Sequence, residues 1–249
     1  MALDKGAGRI KWDVMVGNDP AEAFYRALGG QRDRTWISYQ TGNRQIEKPV
    51  TSMDRKETSC VTNEIILMRH GQPSLTHVDK VSAFEMKRWI EEYEKSEIVE
   101  QSAPEASAEM AKTASVIVSS NAPRALTSLR ALRLQPKLVD DLFREAELPY
   151  GSWRRPRLSP FTWVLIFRIL WLCGFSEKVE PNRNAKVRAG AAAQQLQSLA
   201  NQGTVLLVGH GFMNRMIAKQ LKAAGWTRQH STGSRYWGAM RYQRISGSP

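Results

Sequence analysis

Two places in this chain run from an apolar stretch directly into a His-Gly pair: Ile65-Ile66-Leu67-Met68-Arg69-His70-Gly71 and Val205-Leu206-Leu207-Val208-Gly209-His210-Gly211. The chain has four histidines, so half of them stand in this one context, which packing alone does not account for. Either pair taken singly also fits a strand that simply ends in a polar residue and a turn. A third stretch, Ser119-Ser120-Asn121-Ala122-Pro123-Arg124-Ala125, again follows an apolar run. Arg124 there, near the start of a helix, and Arg69 beside His70 would supply two guanidinium forks facing the two histidines. Planar donors of that kind suit the clamping of a phosphate group.

The elements that must position these residues are legible as short apolar runs and helical periodicities. Residues 64–68, 115–118 and 204–208 read as buried strands, and residues 235–243 as a final strand. Helical spacing marks residues 124–133, 183–201 and 212–224, the last with Met213, Met216, Ile217 and Leu221 on one face and Gly225 as its stop. Ser82-Ala83-Phe84-Glu85 is a capping box ahead of Met86, Trp89, Ile90 and Tyr93. Strands alternating with helices imply an α/β layered fold with a mainly parallel central sheet. In such sheets ligands sit at the carboxyl ends of the strands. His70, Arg124 and His210 are all expected at that edge, and a glycine after each histidine allows a sharp turn and a close backbone approach.

Two segments stand apart. Residues 161–175 (FTWVLIFRILWLCGF) are apolar nearly all round, interrupted only by Arg168, with Ser159-Pro160 as the helix start and Gly174 as its end. At about 20 Å such a helix is too short for about 30 Å of bilayer hydrocarbon, so burial, a cap or a dimer contact is the favoured reading. The arginines at 154, 155 and 157 keep weak membrane-surface contact through residues 154–175 as the alternative. Residues 1–63 read as an N-terminal extension, partly disordered, with a short helix at 19–28.

With Arg69-His70-Gly71, Ser119-Ser120, Arg124-Ala125 and Gly209-His210 in this order, the sequence resembles the histidine phosphatase (phosphoglycerate mutase-like) superfamily over residues 64–245. The resemblance implies a three-layer α/β/α fold and a phosphate monoester hydrolysed through a phosphohistidine on His70. Arg69, Arg124 and a protonated His210 would hold the phosphoryl oxygens, with the N–H of Gly211 a further donor. No metal or other cofactor is implied. The family's general acid best matches Glu145 in Leu142-Phe143-Arg144-Glu145-Ala146-Glu147, with Glu147 the alternative. The stretch between the acid and the late histidine would form a helical cap around residues 150–180.

Several features depart from that pattern or remain outside it. Mutases of the superfamily usually follow the RHG motif with a serine and a Trp-Asn pair. Gln72-Pro73-Ser74-Leu75-Thr76-His77 stands here instead, which favours hydrolysis over mutase chemistry. His77 has no assigned role, and Ser128 replaces a common threonine. The formal charge of +12 favours anionic partners, a phosphorylated small molecule or phosphoprotein. Nucleic acid is not expected, because the basic residues are scattered. Two cysteines without metal-ligand spacing, Cys60 and Cys173, and an N-terminus without signal-peptide features suit a cytoplasmic protein. A phosphomutase, or a catalytically weak phosphate-group-binding protein, remains the competing reading.

Overall fold

The computed structural model describes residues 62–75 and 79–245, all within the compact unit Glu57–Pro249. The helix expected at 19–28, Cys60 and His77 lie outside the described residues, as does the expected extension apart from Thr62 and Asn63, which begin the first strand.

Six strands form one sheet: β1 (Thr62–Arg69), β2 (Val116–Ser119), β3 (Leu138–Val139), β4 (Val205–Gly209), β5 (Thr227–Ser231) and β6 (Ala239–Ile245). Their spatial order is β3-β2-β4-β1-β6-β5. The pairs β3–β2, β2–β4 and β4–β1 are parallel, and β6 and β5 continue the sheet antiparallel. Among the described residues six α-helices accompany them: α1 (Met86–Lys95), α2 (Glu105–Lys112), α3 (Pro123–Ala131), α4 (Pro160–Leu172), α5 (Asn182–Ala200) and α6 (Gly211–Ala223).

Burial on both faces explains why β1 and β4 are continuous apolar runs rather than alternating ones. Ile65, Leu67, Val116, Val118, Val205 and Leu207 pack against Ala189, Ala193 and Leu196 of α5 and Met213, Ile217 and Leu221 of α6. Their neighbours Ile66, Met68, Ile117, Leu206 and Val208 face the opposite way, onto Met110 of α2 and Ala125 and Leu129 of α3. A slip of one residue would exchange the two faces, so the register that aligns Arg69 with Gly209 is fixed by packing on both sides. The result is the three-layer α/β/α architecture with a mixed, mainly parallel sheet, in agreement with a phosphoglycerate mutase-like fold.

A separate aromatic cluster joins α1 to α4. Ala83, Met86 and Trp89 pack on Trp163 and Phe167, and the Trp153 ring stacks on Phe167 at 6.3 Å. The capping box ahead of α1 is made as expected, with Ser82 N–H donating to Glu85 Oε2 at 2.7 Å and Glu85 N–H to Ser82 Oγ at 3.3 Å.

The last strand differs from expectation. It begins at Ala239, and residues 235–238 form a turn in which Gly238 N–H donates to the Arg235 carbonyl at 2.9 Å. Trp237 sits there at φ +65°, a backbone conformation uncommon for a bulky residue. Its N–H reaches the His70 carbonyl at 3.2 Å, a tertiary demand that no strand periodicity encodes. Helix α2 and the strands β3 and β5 were not anticipated either. β5 is exposed throughout, so it carries no buried-face pattern, and β3 is only two residues long.

Candidate active site

The parallel register carries the carboxyl ends of β1, β4 and β2 to one edge, and the histidines follow from it. His70 N–H donates to the Gly209 carbonyl at 3.0 Å, and Ser120 N–H to the Val208 carbonyl at 3.3 Å. The two imidazole rings lie 5.3 Å apart in an edge arrangement. Both are almost completely buried, His70 at 2% exposure and His210 at 0%.

Each ring has its own tether. His70 Nδ1 lies 2.7 Å from the Gly71 carbonyl oxygen. A carbonyl only accepts, so Nδ1 carries the hydrogen and Nε2 presents a lone pair. Gly71 is itself fixed, because its N–H donates to Ser128 Oγ at 2.8 Å and that hydroxyl donates to the Arg124 carbonyl at 2.6 Å. On the second corner, His210 Nε2 meets Ser120 Oγ at 2.7 Å, while Nδ1 is buried without a partner.

Burial, followed by the charges of His210, Arg124 and Arg69, holds the His70 pKa well below the ordinary histidine value, opposed only by the bond to Gly71. Burial and then Arg124, Arg69 and Arg188 do the same to His210. With the charges that the chain itself supplies, both rings are neutral near pH 7. His210, expected as an imidazolium, acquires that form only if an anion beside it reverses the balance.

The glycines after the histidines are explained by close approach, although to the protein's own side chains. A Cβ on Gly71 would stand 2.6 Å from the Trp237 indole. One on Gly211 would stand 3.2 Å from Arg69 Nε, because the Arg69 guanidinium reaches across to the second corner. That guanidinium also lies over the Tyr236 ring, 4.2 Å from its centroid, and Tyr236 in turn flanks His70 at 5.7 Å. Arg69 Nε is buried and unpartnered.

Arg124 is completely buried at the same edge, and its charge reaches both histidines. Its fork is differently engaged from the expectation that it faces them. Nη2 makes a bidentate pair with the Glu94 carboxylate, 3.1 Å to each oxygen, and Nη1 donates to the carbonyls of Tyr93 and Glu94. A buried guanidinium must be paired, and the carboxyl end of α1 brings both a carboxylate and main-chain carbonyls to it. Only Nε of Arg124 lacks a partner. Glu94 itself is about half exposed.

Glu145 and Glu147 have separate settings. Both Glu145 oxygens accept from the first turn of α6, from Phe212 N–H at 3.1 Å and Met213 N–H at 2.8 Å, and Ala146 N–H adds a third bond. Glu145 thus caps the helix that begins immediately after His210. Arg188 of α5 holds the surrounding backbone by donating to the carbonyls of Leu142, Arg144 and Glu145, and is paired with Glu180 at 2.6 Å. Glu147 accepts from Glu180 N–H at 2.6 Å and pairs with Arg144, so it ties the segment 142–147 to the loop before α5.

Sequence reasoning named His70, His210, Arg69, Arg124, Gly211 and Glu145 as candidates, and all are drawn to the strand-end corner. It missed Glu94, Tyr93, Tyr236 and Trp237. Helical spacing marks Tyr93 and the expected final strand covers Tyr236 and Trp237, but neither signal brings these residues, or Glu94, to a corner remote in sequence. Among the described residues, no three His, Cys, Asp or Glu side chains converge as a metal site. A surface hollow is lined by Ile98, Thr127 and Ala131, and neither histidine lines it.

No protein-family model matches the chain, and no curated protein matches it. Among solved structures it is similar to a phosphoserine phosphatase from Entamoeba histolytica, at 16% identity and a TM-score of 0.45, over 74% of this chain and 95% of that one. It is also similar to a protein described as mycobacterial hydrolase 2, at 19% identity and a TM-score of 0.46, over 75% and 90% of the two chains. A third likeness is to YhfR of Bacillus stearothermophilus, at 22% identity and a TM-score of 0.41, over 65% and 78%.

Proposed function

We propose that this chain is a phosphatase that hydrolyses a phosphate monoester through a phosphohistidine on His70, with no metal ion in the reaction. The observation that carries the reading is the 2.7 Å contact between His70 Nδ1 and the Gly71 carbonyl in a buried, neutral ring. That bond leaves Nε2 as an oriented nucleophile, the state that attack on phosphorus requires.

In this reading Nε2 attacks in line, the N–P bond forms as the P–O bond to the alcohol breaks, and the leaving oxygen takes a proton from the Glu145 carboxyl. Water then attacks the phosphohistidine, returns its proton to Glu145 and restores the lone pair of Nε2. Arg69, Arg124 and His210 hold the equatorial oxygens, and the Gly211 N–H adds a donor. A bound phosphate dianion would offset the two arginines and favour the imidazolium form of His210. The Arg124 fork takes the phosphate in place of Glu94. Trp153 and the cap segment that includes α4 favour a small phosphorylated molecule, or a phosphoprotein side chain, with an apolar portion next to its phosphate.

The test is hydrolysis of p-nitrophenyl phosphate in EDTA at mildly acidic pH by the wild-type protein and by His70→Ala. Phosphate release by the wild type and none by the variant, with an acid-labile phosphoenzyme trapped only on the wild type, is the expected result. Equal turnover by both proteins removes His70 from the nucleophile role.

A further inference from the structure

Helix α4 reverses the usual arrangement of a surface helix. Its only charged residue, Arg168, turns inward and donates to the carbonyls of Ala146 and Glu147 at 2.9 and 3.2 Å. Its outer face carries Phe161, Leu165, Ile169 and Leu172, between 40% and 51% exposed. These residues lie at successive turns, so they form one continuous apolar stripe along the helix. The opposite face, Trp163, Phe167 and Trp171, is fully packed, so the stripe is not a poorly docked core face. A contiguous exposed apolar patch is a recognised mark of a protein or membrane contact.

Charge decides between the two. The chain enters α4 through the exposed arginines Arg154 and Arg155, with Arg157 paired to Glu85 at 3.3 Å, and no acidic residue occurs between Glu147 and Glu177. We propose that the outer face of α4, with Arg154 and Arg155 in the segment that leads into the helix, docks this protein on an anionic membrane surface. The apolar stripe enters the boundary between headgroups and acyl chains, and the arginines meet lipid phosphates and carboxylates. At 13 residues α4 is about 20 Å long, so it lies on the bilayer and does not cross it. This agrees with the finding that no helix among the described residues is long and apolar enough to span a membrane.

The experiment is sedimentation of the full chain with vesicles of phosphatidylcholine alone and of phosphatidylcholine mixed with phosphatidylserine, at low and at high salt. It reads binding rather than turnover, so its outcome is separate from that of the phosphatase reading. Binding to the anionic vesicles is expected, weakening at high salt. Arg154→Gln with Arg155→Gln should lower the partition by about 25-fold, on about fivefold per charge near the surface. Leu165→Glu with Ile169→Glu, both at exposed positions, should abolish it, with circular dichroism confirming that the fold is kept. The proposal is overturned by no binding, by equal binding to neutral and anionic vesicles, or by binding that neither variant changes. Self-association by analytical ultracentrifugation that Leu165→Glu removes, without vesicle binding, would assign the stripe to a second copy of the chain and also overturn it.

Discussion

At the first His-Gly corner the imidazole is oriented by its own neighbour, through the Gly71 carbonyl, and a loop follows. At the second, His210 is the residue before α6, and its ring is held by Ser120, a hydroxyl from a different strand end. The local design is the same in both: an apolar strand, a histidine and a glycine. The difference lies in which ring nitrogen is tied. At His70 it is Nδ1, whose carbonyl partner forces the tautomer, and Nε2 is left as the reactive atom. At His210 it is Nε2, and the hydroxyl partner can donate or accept, so no single tautomer is imposed. One corner is built to present a lone pair, and the other to accommodate a change of charge.

The largest effect should come from breaking the two corners separately. His70→Ala is expected to lower phosphatase turnover by at least about 10⁴-fold, as loss of a nucleophile does. His210→Ala, which removes only a stabilising contact, should cost about 10² to 10³-fold. Equal losses in kcat for the two variants would remove the asymmetry.

Glu145 sharpens the second corner, because it caps the helix that starts there and is also the proposed proton donor. Glu145→Gln should cost about 10² to 10⁴-fold on an alkyl phosphate, whose leaving group needs the proton. The loss should be clearly smaller on p-nitrophenyl phosphate, whose leaving group does not. The same loss on both substrates, with a lowered melting temperature, would make Glu145 a helix cap alone.

A third test compares the corners through stability. Both histidines have depressed pKa values in the fold, so the unfolded chain binds more protons as pH falls below about 6.5. The stability that they contribute is therefore fully present above that pH and is lost as pH falls toward their folded values. The slope is at most about 1.4 kcal/mol per pH unit for each ring. Urea unfolding between pH 7 and pH 5 should show this decline, with a shallower slope in His210→Asn. An unchanged slope in that variant would mean that burial of His210 does not govern its charge.

The smallest effect concerns Glu94, which occupies the Arg124 fork. Glu94→Gln removes a negative charge that competes with phosphate, and should lower KM for a phosphate ester by about fivefold, on roughly 1 kcal/mol for a half-exposed pair. A raised KM would instead make Glu94 a brace that positions Arg124.

The core strands and the corner residues were legible because one-dimensional signals report them. Ile65–Met68 and Val205–Val208 are unbroken apolar runs, as strands buried on both faces must be, and each ends in its histidine. Helix α4 was readable at both ends, from Ser159-Pro160 to the Gly174 that follows at φ +105°. Its apolar residues gave no direction, since a helix apolar all round does not say which face is packed.

The sequence by itself determined the order of the core strands β1, β2 and β4 and of the helices α1, α3, α4, α5 and α6, the placing of His70, His210 and Arg124 at strand ends, and the cationic character of the corner. These depend on periodicity and on residue type, which are local. Only the tertiary structure decided which ring nitrogen is tied, that Arg124 pairs with Glu94, that Trp237 covers Gly71, and that α4 turns Arg168 inward and its apolar stripe out. Apart from the His70 tether, which its own neighbour Gly71 supplies, each of these depends on a partner brought in from 30 or more residues away, or on one face of a helix being chosen over another. Hydrogen-bond satisfaction in the buried corner fixes them, and that requirement exists only once the layers are packed.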